Sequence, residues 1–226
     1  MGVQPVPIMV RLETGLASQT LLWRGVAILE RVFAAVLLVG TLPLTFAVAL
    51  ATMGLSGRSP LIAHYRVGKE RRPIWILKLR TMWTGWSFPS RRVLCVERLA
   101  PENGCTIEIK SQQDPRVTSR FAAKCRRYSL DELPQLWHVL TGDMAIVGPR
   151  PLTAHELQVH YEAVADELLS LKPGLTGLWQ ISGRSRLSYS QRRRLDLFMV
   201  RNWSFKLYLM ILIRTVPTVL GGRDAW

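Results

Sequence analysis

Between Val32 and Gly57 the chain carries no charged side chain over about 26 residues, more than the roughly 20 that cross a bilayer core as a straight helix. Pro43 stands in the middle of this segment, after Gly40-Thr41-Leu42. A proline there removes the bond to the Val39 carbonyl and pushes its ring into the preceding turn. The segment is therefore expected to kink or break, at ~3 kcal/mol in an ordinary helix interior. Both flanks are basic, with Arg11, Arg24 and Arg31 before it and Arg58, Arg66, Lys69, Arg71 and Arg72 after it. Basic flanks hold to the cytoplasmic side. A helical hairpin bent at Pro43, entering and leaving by the same face, satisfies both flanks and is favoured over a kinked full span.

The overall balance points the same way. Lys and Arg number 30 against 16 Asp and Glu, a formal charge of +14, and hydrophobic residues make up 48% of 226. A chain this basic suits an anionic lipid surface or nucleic acid. The uncharged segment argues against nucleic acid, because it would need burial beyond a small soluble core. Cys95, Cys105 and Cys125 form no C-x-x-C pair, which argues against a disulfide framework or structural zinc and fits a reducing compartment. The first twenty residues show no secretory signal pattern.

Past the apolar segment, Pro60–Tyr65 and Ile74–Leu79 read as two strands of a hairpin around Val67-Gly68-Lys69-Glu70. Residues 83–113 lack steady periodicity and read as an irregular insertion, and Thr118–Arg127 reads as a basic helix. Leu130, Leu133, Leu136 and Leu140 give Ser129–Leu140 the spacing of an amphipathic helix. Gly142, Gly148–Pro151 and Lys172–Gly177 read as loops. Ser188 with Gln191 is a capping box opening another helix, and Phe205–Leu220 is apolar enough to lie in a lipid interface. The expected fold is α+β and mostly helical. It comprises a re-entrant membrane helix hairpin, a small β-hairpin and interfacial amphipathic helices. Its divisions are an extension over 1–23, a membrane helix over 24–57 and a cytoplasmic-face domain over 58–226.

The chemistry centres on Asp131-Glu132. Neighbours on a helix point about 100° apart, so these carboxylates suit two separate tasks, such as nucleophile and metal ligand. Pro134 tolerates a helix best if Asp131 is the N-cap, which places Asp131 at or within the first turn. Backbone N–H groups there favour an ionised carboxylate and attract phosphate. The competing reading is plain capping, since Ser129…Glu132 is itself a capping-box pattern. Arg150 is held between Pro149 and Pro151, which suits bidentate capture of phosphate oxygens; Arg184 and Arg192-Arg193-Arg194 offer similar contacts. A solvated turn or face is the bland alternative for each. His138, His155 and His160 show no metal-ligand spacing.

Ser129-Leu-Asp-Glu-Leu-Pro-Gln-Leu-Trp-His-Val-Leu-Thr-Gly-Asp-Met-Ala-Ile-Val-Gly-Pro-Arg-Pro151 closely resembles the signature of the bacterial sugar transferases. These are monotopic polyprenyl-phosphate sugar-1-phosphate transferases of bacterial polysaccharide assembly. Lys172–Arg184 resembles their second block; Leu195-Asp-Leu, Arg201-Asn-Trp-Ser and Arg214-Thr-Val-Pro resemble the third; Arg66-Val-Gly-Lys and Lys78-Leu-Arg-Thr-Met82 resemble the early hairpin. The resemblance implies an enzyme of the inner membrane with its catalytic domain on the cytoplasmic face. Asp131 would attack the sugar-bearing phosphate of a UDP-sugar, and Glu132 would hold Mg²⁺. Arg126 would bind phosphate, with Arg150 and Arg184 as further binding residues. The second substrate would be polyprenyl phosphate, and the order ping-pong. The length implies a member without the multi-span amino-terminal region of larger ones. Two positions depart from the family pattern. Leu42-Pro43 replaces a Ser-Pro bend, and Ala34 follows Phe33 where an acidic residue is usual. Pro60 is also displaced relative to the usual Gly-Pro before the first strand. A catalytically silent membrane scaffold is the alternative function.

Overall fold

The computed structural model describes residues 8–83, 96–99, 117 and 119–221. Helix α1 runs from Ile8 to Ser56 and passes through Pro43 without ending. Two residues before the proline, the Thr41 hydroxyl donates to the Leu37 carbonyl at 2.7 Å, the kind of back-bond that accompanies bending in a helix. The helix stops where sequence supplies a terminator. Gly57 adopts φ 68°, and its N–H donates to the Met53 carbonyl at 2.9 Å, a left-handed cap that glycine takes without strain.

Hydropathy alone makes Thr20–Ser56 long and apolar enough to cross a membrane, yet it does not stand apart from the rest of the chain. Val26, Glu30, Ala34, Val48, Thr52 and Ser56 are buried, and Leu37, Leu38, Thr41 and Thr45 between them are half-buried. Steps of three and four place all of these on one helix face. That face packs on the globular part from Val26 to Ser56, while Ile28, Val32, Val36, Val39, Phe46 and Leu50 remain exposed.

Strands β1 (Leu61–Val67) and β2 (Pro73–Leu79) form the expected antiparallel hairpin, in register from Leu61 opposite Leu79 to Val67 opposite Pro73. A third strand, β3 (Val96–Leu99), pairs in parallel with β1 to give the order β2-β1-β3. It lies within the stretch expected to be irregular, so that expectation is corrected here; residues 84–95 and 100–116 lie outside the described residues. Four residues are too few to show a hydropathy period, and a parallel partner needs a long connection. Arg80, buried, ties the sheet together: its Nη2 pairs with Glu97 of β3 and its Nε donates to the Ser59 carbonyl at 2.8 Å.

Helix α2 (Arg120–Arg127) is capped by the Ser119 side chain. A 3-10 turn over Leu130–Gln135 leads into the short α3 (Leu136–Thr141). Strand β4 (Ala145–Val147), between two stretches expected as loops, and β5 (Gly174–Thr176), inside one of them, form a two-stranded parallel sheet. Between them lie α4 (Ala154–Glu156), a π-helical stretch over Leu157–Tyr161, a 3-10 turn over Glu162–Val164 and α5 (Ala165–Leu168). Then follow α6 (Leu178–Ser182), α7 (Tyr189–Arg201) with the expected Ser188…Gln191 capping box, and α8 (Phe205–Leu220).

The main core joins Val26 and Ala34 of α1 to Ile74, Ile76, Leu136, Val139, Met144, Met199 and Ile211. A smaller cluster, Val48, Leu79 and Cys125, seats the second half of α1 on the sheet and α2. The start of α8 closes against α1 through stacked Trp23 and Trp203 (5.1 Å). There the Glu30 carboxylate accepts from the Tyr208 hydroxyl at 3.0 Å and the Ile146 N–H at 2.8 Å. Phe205, Leu209, Ile213, Val216 and Leu220 face outward along α8, a second apolar stripe.

Candidate active site

The Asp-Glu pair does not open an α-helix. Ser129 is left-handed (φ 55°), makes no side-chain cap, and begins a 3-10 turn that holds Asp131, Glu132 and Pro134. The expected N-cap role of Asp131 is therefore corrected, while its place in the first turn holds. Pro134 supplies the reason: it cannot donate, so the α-helical ladder starts only after it, at Leu136. The capping-box reading of Ser129…Glu132 also fails, because the Glu132 N–H donates to the Ser129 carbonyl at 3.1 Å and the glutamate side chain is engaged elsewhere.

That engagement is with Lys78 of β2, whose Nζ lies 2.6 Å from Glu132 Oε1. Alternation along β2 puts Lys78 on the face of Ile74 and Ile76, and both isoleucines are buried. The lysine stem is thereby directed under the 3-10 turn. The turn is held from a second side by His138, whose Nε2 accepts the Leu77 N–H at 3.1 Å, covering the free edge of β2. Burial holds His138 below its ordinary pKa, against the opposing pull of Asp143, so the imidazole is neutral and can accept.

Asp131 is buried, at 8% exposure. Beneath it sits the Cys125 thiol, pushed up to about 11 by burial and secondarily by the negative charge of Asp131. A thiol so protonated is a poor nucleophile; it fills space between Val48 and Leu79. Glu132 is half-exposed, at 34% of its side chain, so the two neighbouring carboxylates differ in solvent access. Arg126 is half-buried in the last turn of α2, and its carbonyl accepts the Ser129 N–H at 3.1 Å. The left-handed bend folds α2 against the Asp131 turn, bringing the arginine's helix to the carboxylates.

Arg150 belongs to a second charged cluster. Its guanidinium lies 5.6 Å from the centre of the Trp179 ring, and Arg192 lies 4.8 Å from the same ring. Burial, then the charge of Arg150, lowers Arg66 to about 10. Burial raises Glu156, but Arg150, the Thr153 N–H and Arg66 outweigh it and leave the carboxyl below its ordinary value. Asp196, 1% exposed, accepts from the Tyr161 hydroxyl at 3.3 Å. Burial pushes it up to about 7 despite Tyr161, Arg150 and Arg192. The backbone holding Arg150 is set by glycines: a Cβ on Gly148 would fall 2.8 Å from the Gly174 nitrogen, and one on Gly177 would fall 2.5 Å from the Gly148 carbonyl oxygen. Arg184 opens a 3-10 turn after α6 in a left-handed conformation (φ 46°) and is half-buried.

Asp131, Glu132 and the helix of Arg126 thus share one locale, and Arg150 anchors another. Sequence reasoning assigned no role to Lys78, Arg66, Asp196 or His138. The signal for Lys78 was its register with Ile74 and Ile76. Two open concavities of about 390 and 310 Å³ flank the β1–β2 loop, beside Lys69 and Glu70. They lie at the other end of the hairpin from Lys78, and their charges pair locally, as Arg71 does with Asp166 at 2.9 Å. Among the described residues no group of three or more His, Cys, Asp and Glu converges. Mg²⁺ commonly takes only one or two carboxylates, with waters and substrate phosphates completing its shell. Glu132 fits that demand, since its accessible oxygen already attracts a cation, the Lys78 ammonium.

Residues 23–222 match the bacterial sugar transferase family. The chain is 40% identical to the exopolysaccharide production protein ExoY of Sinorhizobium fredii, over 78% of this chain and 79% of that one. It is 37% identical to the undecaprenyl-phosphate galactose phosphotransferase of Salmonella typhimurium, over 75% of this chain and 35% of that one. Identity to the UDP-glucose:undecaprenyl-phosphate glucose-1-phosphate transferase of Xanthomonas campestris is 32%, over 88% and 40% respectively. The chain thus spans well under half of the Salmonella and Xanthomonas proteins and most of ExoY. On the extent of these matches the chain belongs to the bacterial sugar transferase family.

Proposed function

We propose that this protein transfers a sugar-1-phosphate from a UDP-sugar to undecaprenyl or another polyprenyl phosphate, beginning exopolysaccharide or glycan assembly. The observation that carries the reading is the pairing of a buried Asp131 with an accessible, cation-bound Glu132 on one short turn. The turn packs on α1, where the apolar segment offers a lipid substrate a place to meet it.

In the first half-reaction an Asp131 oxygen attacks the sugar-bearing phosphorus. The bond from that phosphorus to the bridging oxygen breaks, and UMP leaves with the oxygen and its electron pair. The enzyme then holds the sugar phosphate as an acyl phosphate on Asp131. In the second, an oxygen of polyprenyl phosphate attacks the same phosphorus, and the Asp131 carboxylate leaves unchanged. The two half-reactions give ping-pong order. Glu132 would hold Mg²⁺, which when bound offsets diphosphate charge. Arg126 meets phosphate at the Asp131 turn, and Arg150 and Arg184 bind further along the donor.

The membrane reading belongs with this one. The continuous buried stripe from Val26 to Ser56 supports a helix whose two halves stay on the same side of the membrane as the domain, with Pro43 as the bend. The outward stripe of α8 supports an interfacial role for that helix, with the catalytic domain on the cytoplasmic face of the inner membrane.

The test is UMP release by detergent-purified protein from a panel of UDP-sugars, with undecaprenyl phosphate and Mg²⁺, beside Asp131→Asn. The wild type is expected to release UMP with at least one donor, and the variant to be slower by about 10³-fold or more, as for loss of a covalent nucleophile. Release that survives in Asp131→Asn would remove the aspartyl intermediate. No release from any donor would favour a scaffold role.

A further inference from the structure

Taking Glu132 as the metal carboxylate, as the reading above does, we propose that Lys78 is its resident competitor. The lysine ammonium occupies the cation position on Glu132 and yields it when the divalent ion arrives. The contact is short, 2.6 Å to Oε1, and both partners retain solvent access, at 20% and 34% of their side chains. A compact ammonium neutralises a single carboxylate oxygen without chelating it, so the pair can open without disturbing the backbone.

The scaffold around the pair does not depend on it. The strand carrying Lys78 is held by Ile76 and Leu79, each 1% exposed, and by the Leu77 N–H bond to His138. The turn carrying Glu132 is held by buried Pro134 and by Leu136 in the main core. Lys78 is therefore a positioning residue. It keeps the Glu132 carboxylate aimed and neutralised while the site lacks metal and substrate. A divalent ion on Glu132 repels the ammonium, whose next attractive partners are the oxygens of an arriving diphosphate.

The distinguishing measurement is binding of Mn²⁺ alone, read by loss of the free-ion electron paramagnetic resonance signal, to detergent-solubilised wild type, Lys78→Met, Lys78→Arg and Glu132→Gln. Removing the competitor in Lys78→Met is expected to tighten Mn²⁺ binding roughly 3- to 10-fold, in line with a partly exposed ion pair. UMP release should nevertheless slow, because the phosphate-facing charge is gone. Lys78→Arg keeps a cation with a fork that matches the carboxylate, so it should bind Mn²⁺ no tighter than wild type. A purely structural lysine predicts no such opposite ordering. Equal or weaker Mn²⁺ binding in Lys78→Met overturns the exchange. If that variant does not fold, Lys78→Gln replaces it under the same criterion. Undiminished Mn²⁺ binding in Glu132→Gln overturns instead the assignment of Glu132, and with it the exchange, whatever the lysine variants show.

Discussion

Two buried titratable groups pull the pH dependence of this protein in opposite directions. Asp196 has a folded value of about 7, raised chiefly by burial, against about 3.9 in an unfolded chain. Between these values the folded state binds more protons than the unfolded one, so stability falls as pH rises through the window and levels off above it. The size is on the order of a few kcal/mol. His138 is lowered by burial, so its neutral form belongs to the folded state. Its contribution is present above the unfolded value of about 6.5 and is lost as pH falls below it. Asp196→Asn removes the first effect and leaves the second. Thermal unfolding in detergent should show the variant gaining on the wild type steadily from pH 5 to pH 8, with most of the gain reached by pH 7. A difference that stays constant across that range would show that Asp196 is already ionised in the folded protein at pH 5. The same burial that raises Asp196 places it near Arg150 and Arg192, so the arginines of the second cluster share their field with a carboxyl that is part neutral at pH 7.

At the level of elements, α1 has two unlike faces although nearly all of its side chains over 32–57 are apolar. Ala34 is fully buried against the main core, whereas Val36, two positions on, is 64% exposed. Ala34→Leu should therefore overpack the contact and cost about 1–3 kcal/mol. Val36→Leu should change stability by less than about 0.5 kcal/mol. Chemical denaturation of the two variants in detergent separates the cases, and equal costs would mean that α1 is not seated on this stripe. Hydropathy hid that stripe, because a uniformly apolar segment has no period to read. Glu30, Thr41, Thr45, Thr52 and Ser56, polar members of the stripe, are its trace in the sequence. Elsewhere local chemistry was readable where it was self-contained: the hairpin, the Ser188…Gln191 box and α8 stand close to where their residues put them. Strands β3, β4 and β5 were not readable, because each has three or four residues and a parallel partner far along the chain. The glycines of Gly148-Pro-Arg-Pro and Lys172-Pro-Gly-Leu-Thr-Gly looked like turn markers. Their role is close backbone approach between β4 and β5. The site followed the same division: Asp131 and Glu132 were evident as neighbours, but Lys78 reaches Glu132 across 54 residues.

At the scale of the whole molecule, charge and apolar surface would make separable contributions to the proposed membrane association. The formal charge is +14, and the proposed attraction to anionic lipid would act over a Debye length of about 8 Å at physiological salt and about 3 Å at 1 M. The outward faces of α1 and α8 add Ile28, Val32, Val36, Val39, Phe46, Leu209, Ile213 and Val216. Each such side chain leaving water contributes roughly 1.5–3 kcal/mol that salt does not weaken. Trp23, Trp203, Phe205 and Tyr208 gather where α1 and α8 meet, a composition suited to the headgroup level. The apolar term is thus large enough to retain the protein after charge is screened. Bacterial membranes washed in 1 M NaCl should keep most of it in the pellet, and a non-ionic detergent at low salt should release it. On vesicles, raising the anionic lipid fraction should strengthen capture at low salt and make little difference at 1 M. A protein held by charge alone, to lipid or to nucleic acid, would leave the pellet in the salt wash without detergent, and that result would remove the membrane-seated role of α1 and α8 together.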